Sequence, residues 1–168
     1  MIRLLIALAL LSSAAAAQEI DGAQTLSRLR ACYDPADTAE SKRACMFTIS
    51  EACQAEEEGG YSTLGMSMCN RAEHEAWDVL LNEEYKATMA AFTEMDADDA
   101  GYSENLDKRT DTLRAAQRAW MAYRDAECLN AYAIWGGGSM RHIAGTACYL
   151  RMTAERAIEI WNKREFMQ

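Results

Sequence analysis

With 168 residues, half of them apolar and only one proline, the chain is long enough for one domain with its own core. Twenty-six acids against seventeen bases leave a formal charge of −9, without the clustered lysine and arginine that nucleic-acid binding requires. An acidic surface keeps an exported protein soluble and attracts cationic proteins at low salt.

The chain opens with Arg3, an apolar run from Leu4 to Leu11, and small residues leading to Ala15-Ala16-Ala17. This pattern predicts a secretory signal peptide over residues 1–17 and a mature chain beginning at Gln18. The apolar run is too short to span a bilayer comfortably and no second one follows, so no membrane insertion is expected after cleavage. Losing Arg3 and no acid takes the charge from −9 to −10. The expected location is periplasmic or secreted.

Strong helix formers fill nearly every later segment. A short helix is predicted over about 21–32, ended by Asp34-Pro35, and a second from near Asp37 to Cys53, capped by Asp37 or Thr38. Glu56-Glu57-Glu58-Gly59-Gly60 reads as a loop, after which Ser62 or Thr63 caps a long third helix to about Met95. Residues Asp96 to Gly101 form the next turn. Ser103 is expected to cap a fourth helix to about Trp135, and Ser139 to start a fifth to about Phe166. The fold expected is all-α: a small disulfide-linked bundle of about five helices, the last two an antiparallel hairpin.

Six cysteines (Cys32, Cys45, Cys53, Cys69, Cys128 and Cys148) in an exported chain read as three disulfides, whose connectivity is open fifteen ways on sequence alone. Cys128 and Cys148 stand about equally far from the Gly136-Gly137-Gly138-Ser139 break, as the legs of a helical hairpin would place them, and neighbour pairing is favoured throughout. With no Cys-x-x-Cys pair and only two histidines, no metal site is expected.

Two helices carry polar groups on their apolar stripes. Leu113, Gln117, Trp120 and Arg124 fall within about 60° of one another at roughly 100° per residue. Asp78, Asn82 and Tyr85 share a face with Met89 and Phe92. A buried charge without a partner costs several kcal/mol, so Asp78 and Arg124 are expected to pair, with Asn82, Tyr85 and Gln117 completing the network. A carboxylate held by an arginine is a poor base near neutrality, which argues against catalysis by Asp78.

Asp78-x-x-Leu81-Asn82-x-x-Tyr85, Gln117-Arg-x-Trp120-x-x-Tyr123-Arg124-Asp125-x-x-Cys128, Gly137-Gly138-Ser139, Cys148 and Thr153-x-x-Arg156 resemble the lysozyme-inhibitor LprI-like family, long described as a domain of unknown function. The likeness covers about Cys53 to Ile160. It implies a small helical exported bacterial domain with Cys53 paired to Cys69 and Cys128 to Cys148, adds Arg156 to the polar network, and names lysozyme inhibition as an activity. Residues 18–52 form a helical extension beyond the shared domain, expected to pack with residues 53–168 as one unit.

The function expected is therefore an exported, non-enzymatic binding protein without a cofactor, an inhibitor of lysozyme-type muramidases. The alternative is an envelope interaction or stress-related protein with another partner. A cationic muramidase would be steered to the acidic surface, and a loop would occupy its cleft. The candidate loops are Glu56 to Ser62, Asp96 to Gly101 and Trp135 to Ser139, with Glu56, Glu57 and Glu58 as charges and Tyr61, Tyr102 or Trp135 as anchors. No nucleophile stands at recognisable spacing from a base, and Met66, Met68 and His74 near Cys69 read as core more readily than as a copper site.

Overall fold

The structure, a computed structural model, describes residues 20–101 and 106–167. The segment expected to be a signal peptide, Tyr102 and Ser103 lie outside them. Six helices occupy the described residues: α1 (Gly22–Tyr33), α2 (Ala39–Arg43), α3 (Thr48–Glu56), α4 (Thr63–Asp99), α5 (Arg109–Ala133) and α6 (Met140–Phe166). The all-α, disulfide-linked bundle with a terminal hairpin is what the sequence predicts, with one helix divided.

The division falls inside the segment expected to run from Asp37 to Cys53. Thr38 and Ser41 form a reciprocal capping box that starts α2. The chain then turns at Phe47, which is left-handed at φ 68°, a conformation unfavourable for a bulky side chain. What holds it is a carboxylate from another helix: Glu73 Oε1 accepts from the Phe47 N–H at 2.7 Å and Oε2 from the Ser50 N–H at 2.7 Å. Phe47 has no side-chain oxygen to cap α3, so Glu73 does it from α4. The indole N–H of Trp77 donates to Glu73 Oε1 at 3.0 Å, and the whole side chain is excluded from solvent. Burial pushes the Glu73 carboxyl above its ordinary range, against the pull of these donors.

Ser62 caps α4 as the sequence predicts, its Oγ accepting from the Gly65 N–H at 3.0 Å. The helix continues a turn past the expected end, to Asp99. At 37 residues it is about 55 Å long and forms the spine of the molecule. Asn70 Nδ2 donates to Thr146 Oγ1 and Thr88 Oγ1 to the Ile160 carbonyl, so α4 and α6 run parallel in close register. The Cys128–Cys148 disulfide and the Gln117–Arg156 hydrogen bond set α5 antiparallel to α6. The start of α5 is Arg109 rather than Ser103, and again a carboxylate from α4 serves as its cap. Asp96 accepts from the N–H groups of Arg109 and Thr110 and from the Thr110 hydroxyl. Its burial raises the pKa, but these hydrogen bonds outweigh that and lower it to about 2.

Leu29, Tyr33 and Cys45 from the amino-terminal segment lie in one buried cluster with Trp77, Leu80, Leu81, Leu150, Ile158 and Ile160. Tyr33 meets Trp77 edge to face, with ring centroids 5.5 Å apart. Lys42 is buried against the same ring, its Nζ 3.8 Å from the Tyr33 centroid and donating to the Tyr33 carbonyl, and burial lowers its pKa. The disulfides are Cys32–Cys45, Cys53–Cys69 and Cys128–Cys148, the neighbour pairing favoured from the spacing.

Candidate partner-binding surface

Because α4 and α6 are parallel and α5 returns between them in sequence, the beginning of α4, the end of α5 and the beginning of α6 meet at one end of the bundle. Two of the three candidate loops, Glu56 to Ser62 and Trp135 to Ser139, are therefore neighbours. The third, Asp96 to Gly101, lies at the opposite end and is not the loop expected, since Asp96–Asp99 form the last turn of α4.

The first loop is pinned closely. Gly59 adopts φ 73°, and a Cβ on Gly65 would collide with the Gly59 carbonyl oxygen, so the loop lies flat on the first turn of α4. This leaves Tyr61 and Leu64 outside, each 70% exposed. Ile134 and Trp135 remain 72% and 46% exposed at the hairpin turn, where Gly136 takes φ 53°. At the same end of the bundle lies a groove of about 390 Å³, walled by Leu64, Met68, Leu129, Tyr132, Gly145 and Tyr149, with Cys128 also in its lining. An aromatic and aliphatic groove on an otherwise charged helical protein is the candidate for a partner-binding surface.

The groove is apolar, and its rim is cationic. Arg141 lies 4.1 Å above the Tyr132 ring, His142 meets the same ring edge to face, and Arg71 borders the opening, paired with Glu75. The acidic residues of the loop are differently placed. Glu56 is held by a two-pronged bond from Arg28 of α1, which lowers its pKa, while Glu58 is exposed.

The expected Asp78–Arg124 pair is absent. Arg124 donates to its neighbour Asp125 at 2.9 Å and lies over the Trp120 and Tyr149 rings. Asp78 is served by Asn82 of its own helix, and Asn82 is exposed. The cause is that α4 and α5 both pack chiefly on α6 and touch each other much less. His74 feels both charges: burial lowers its pKa, Arg124 lowers it further and Asp78 opposes. Tyr85 packs against the main core. Gln117, Trp120 and Arg156 do come together, Gln117 Oε1 accepting from Arg156 Nε at 2.9 Å with Trp120 beside them.

Sequence reasoning missed the buried roles of Glu73 and Lys42, the capping of α5 by Asp96, which it places in a turn, and also the Arg164–Glu84 pair at 2.7 Å. A charge on a helix reads as solvated unless its partner is known, and each of these partners is remote in sequence. Cys69 is consumed in a disulfide, which removes it from any copper site. Among the described residues no group of three or more histidine, cysteine, aspartate or glutamate side chains is arranged to hold a metal.

Comparison with known proteins fits this architecture. A family model described as Lysozyme inhibitor LprI matches residues 53–160. The chain belongs to this family. The LprI match begins at Cys53, the first cysteine of the α3–α4 bridge, and includes both legs of the hairpin groove. An uncharacterized protein of Rhizobium meliloti (strain 1021) is 29% identical over 142 residues, covering 82% of this chain and 91% of that one. That coverage exceeds the LprI match by more than the residues after Ile160 can supply, so the likeness extends into the amino-terminal segment. No solved structure matches the chain. Among the described residues no helix is long and apolar enough to cross a membrane.

Proposed function

We propose that the protein is an exported, non-enzymatic inhibitor of lysozyme-type muramidases, and that it binds them with the hairpin end. The observation that carries this reading is the apolar groove at the hairpin end of an LprI-family chain, the same end of the bundle at which the loops carrying the exposed Tyr61 and Trp135 lie. Rigid exposed aromatics beside a groove are the usual anchors of a protein interface. Three disulfides suit a periplasmic or secreted location. The net charge supplies long-range attraction to a cationic muramidase, with Glu57 and Glu58 the loop charges left to act on encounter once Arg28 holds Glu56.

The test is inhibition of a cationic muramidase by the oxidised mature protein. Trp135→Ala and Tyr61→Ala should each weaken inhibition by about thirtyfold, the equivalent of about 2 kcal/mol for an anchor, while leaving the melting temperature unchanged. Inhibition that survives both substitutions removes the hairpin end from the contact. Full muramidase activity in the presence of excess protein at low salt would mean that the surface serves another envelope partner.

A further inference from the structure

The groove at the hairpin end differs in charge from the rest of the molecule. The chain carries 26 acids against 17 bases, yet no aspartate or glutamate among the described residues lines the groove, whereas Arg71 and His142 do. Two other clefts show the reverse, one lined by Glu127, Glu155 and Glu159, the other by Asp96, Asp99 and Asp107. The Arg71 side chain is 74% exposed and bonds Glu75 through Nε alone, so its two Nη groups have no partner among the described residues. An exposed pair of this kind is weak, and the guanidinium can take a second carboxylate. His142 offers an N–H in either protonation state. Elsewhere the groove has little for a polar group to bond. Its walls belong to α4, α5 and α6, whose backbone is paired within each helix. The hydroxyls of Ser67 and Thr146 donate to carbonyls of their own helices, at 2.8 and 2.9 Å.

We infer that the groove binds a monomeric fatty acid, with the alkyl chain on Leu64, Met68, Leu129 and Tyr149 and the carboxylate on Arg71. The lining chooses this ligand over others. A cationic ligand finds no carboxylate there. An extended peptide would bury its amides against walls that cannot pair them, a cost that a chain polar at one end only avoids. An anionic bilayer surface is repelled by the net charge of −9. A volume of about 390 Å³ lies within the range of small-molecule sites. None of this rests on the muramidase reading, and the titration that tests it contains no muramidase, so either can fail alone.

The oxidised mature protein is titrated by calorimetry with decanoate and, separately, with decyl maltoside, which has the same alkyl chain and an uncharged head, both below their micelle-forming concentrations. The expected result is one decanoate per protein, bound at least about tenfold more tightly than the maltoside. Leu129→Glu puts a carboxylate into the wall at a position 65% exposed, and should abolish decanoate binding while leaving the melting temperature in place. Arg71→Gln should weaken decanoate binding about tenfold and leave the maltoside affinity unchanged. Tyr123→Ala, in the cleft lined by Glu127, should change neither. No saturable binding, equal affinity for the two heads, or wild-type decanoate binding by the Leu129→Glu or Arg71→Gln protein overturns the proposal. So does sedimentation with phosphatidylglycerol vesicles without binding of monomeric decanoate, which would assign the groove to a membrane surface.

Discussion

Glu73 is the side chain on which the junction between the amino-terminal helices and the spine most depends. It satisfies three donors that have no other partner: the N–H groups of Phe47 and Ser50 and the indole of Trp77. Replacing it with alanine leaves all three unpaired in a site closed to solvent. At about 1–3 kcal/mol for each stranded donor, and with some relief from entering water, the expected loss is about 3–6 kcal/mol. Glutamine is the sharper probe because it keeps the size and removes only one acceptor. Its NH₂ must face an N–H where an oxygen stood, so about 2–4 kcal/mol should still be lost. The pH dependence adds a second check. Burial raises the folded pKa of Glu73, so its protonated state is favoured by folding. That contribution is complete below the unfolded value of about 4.3 and is lost as pH rises through the folded pKa. Glutamine does not titrate, so the gap between the two proteins should be widest near pH 4 and narrower at pH 8. The assay is urea unfolding of oxidised protein at both pH values. A Glu73→Gln protein within about 0.5 kcal/mol of wild type would refute the capping role of this carboxylate.

Asp96→Ala should cost about 0.5–2 kcal/mol by uncapping α5. Because its folded pKa is lowered to about 2, the wild-type advantage should persist above about pH 4 and fade as pH drops toward 2, read by thermal melts. Opening Cys128–Cys148 with a Cys128→Ser, Cys148→Ser double variant removes a bridge across 20 residues and should lower stability by about 3 kcal/mol in a denaturant titration. Association with a cationic muramidase should slow steeply between low and physiological salt, where exposed charges are screened beyond about 8 Å, and stopped-flow rates at several salt concentrations will show it.

The fold was largely legible because its signals are local. One proline, the Ser62 cap and the glycines of the hairpin turn mark where helices start and stop, and the cysteine spacing favours the pairing found. The break at Phe47 was not legible, since a left-handed phenylalanine is held there by a glutamate 26 residues away. The polar residues of α4 and α5 were expected to meet each other, but Asn82 is exposed and Gln117 of α5 bonds Arg156 of α6 instead. Helical periodicity tells which residues share a face, not which helix that face meets; here it meets α6. The convergence of the Tyr61 and Trp135 loops depends on the parallel register of α4 and α6, a tertiary fact with no local sequence signature.

The proposed muramidase contact is tested most directly by hydrogen–deuterium exchange of the oxidised protein with and without a cationic muramidase at low salt. Peptides covering residues 61–68 and 129–146 should gain protection as the complex forms, while those around Asp96 and Arg109, at the far end of the bundle, stay unchanged. Protection confined to the far end, or none at saturating muramidase, would contradict binding through the hairpin end.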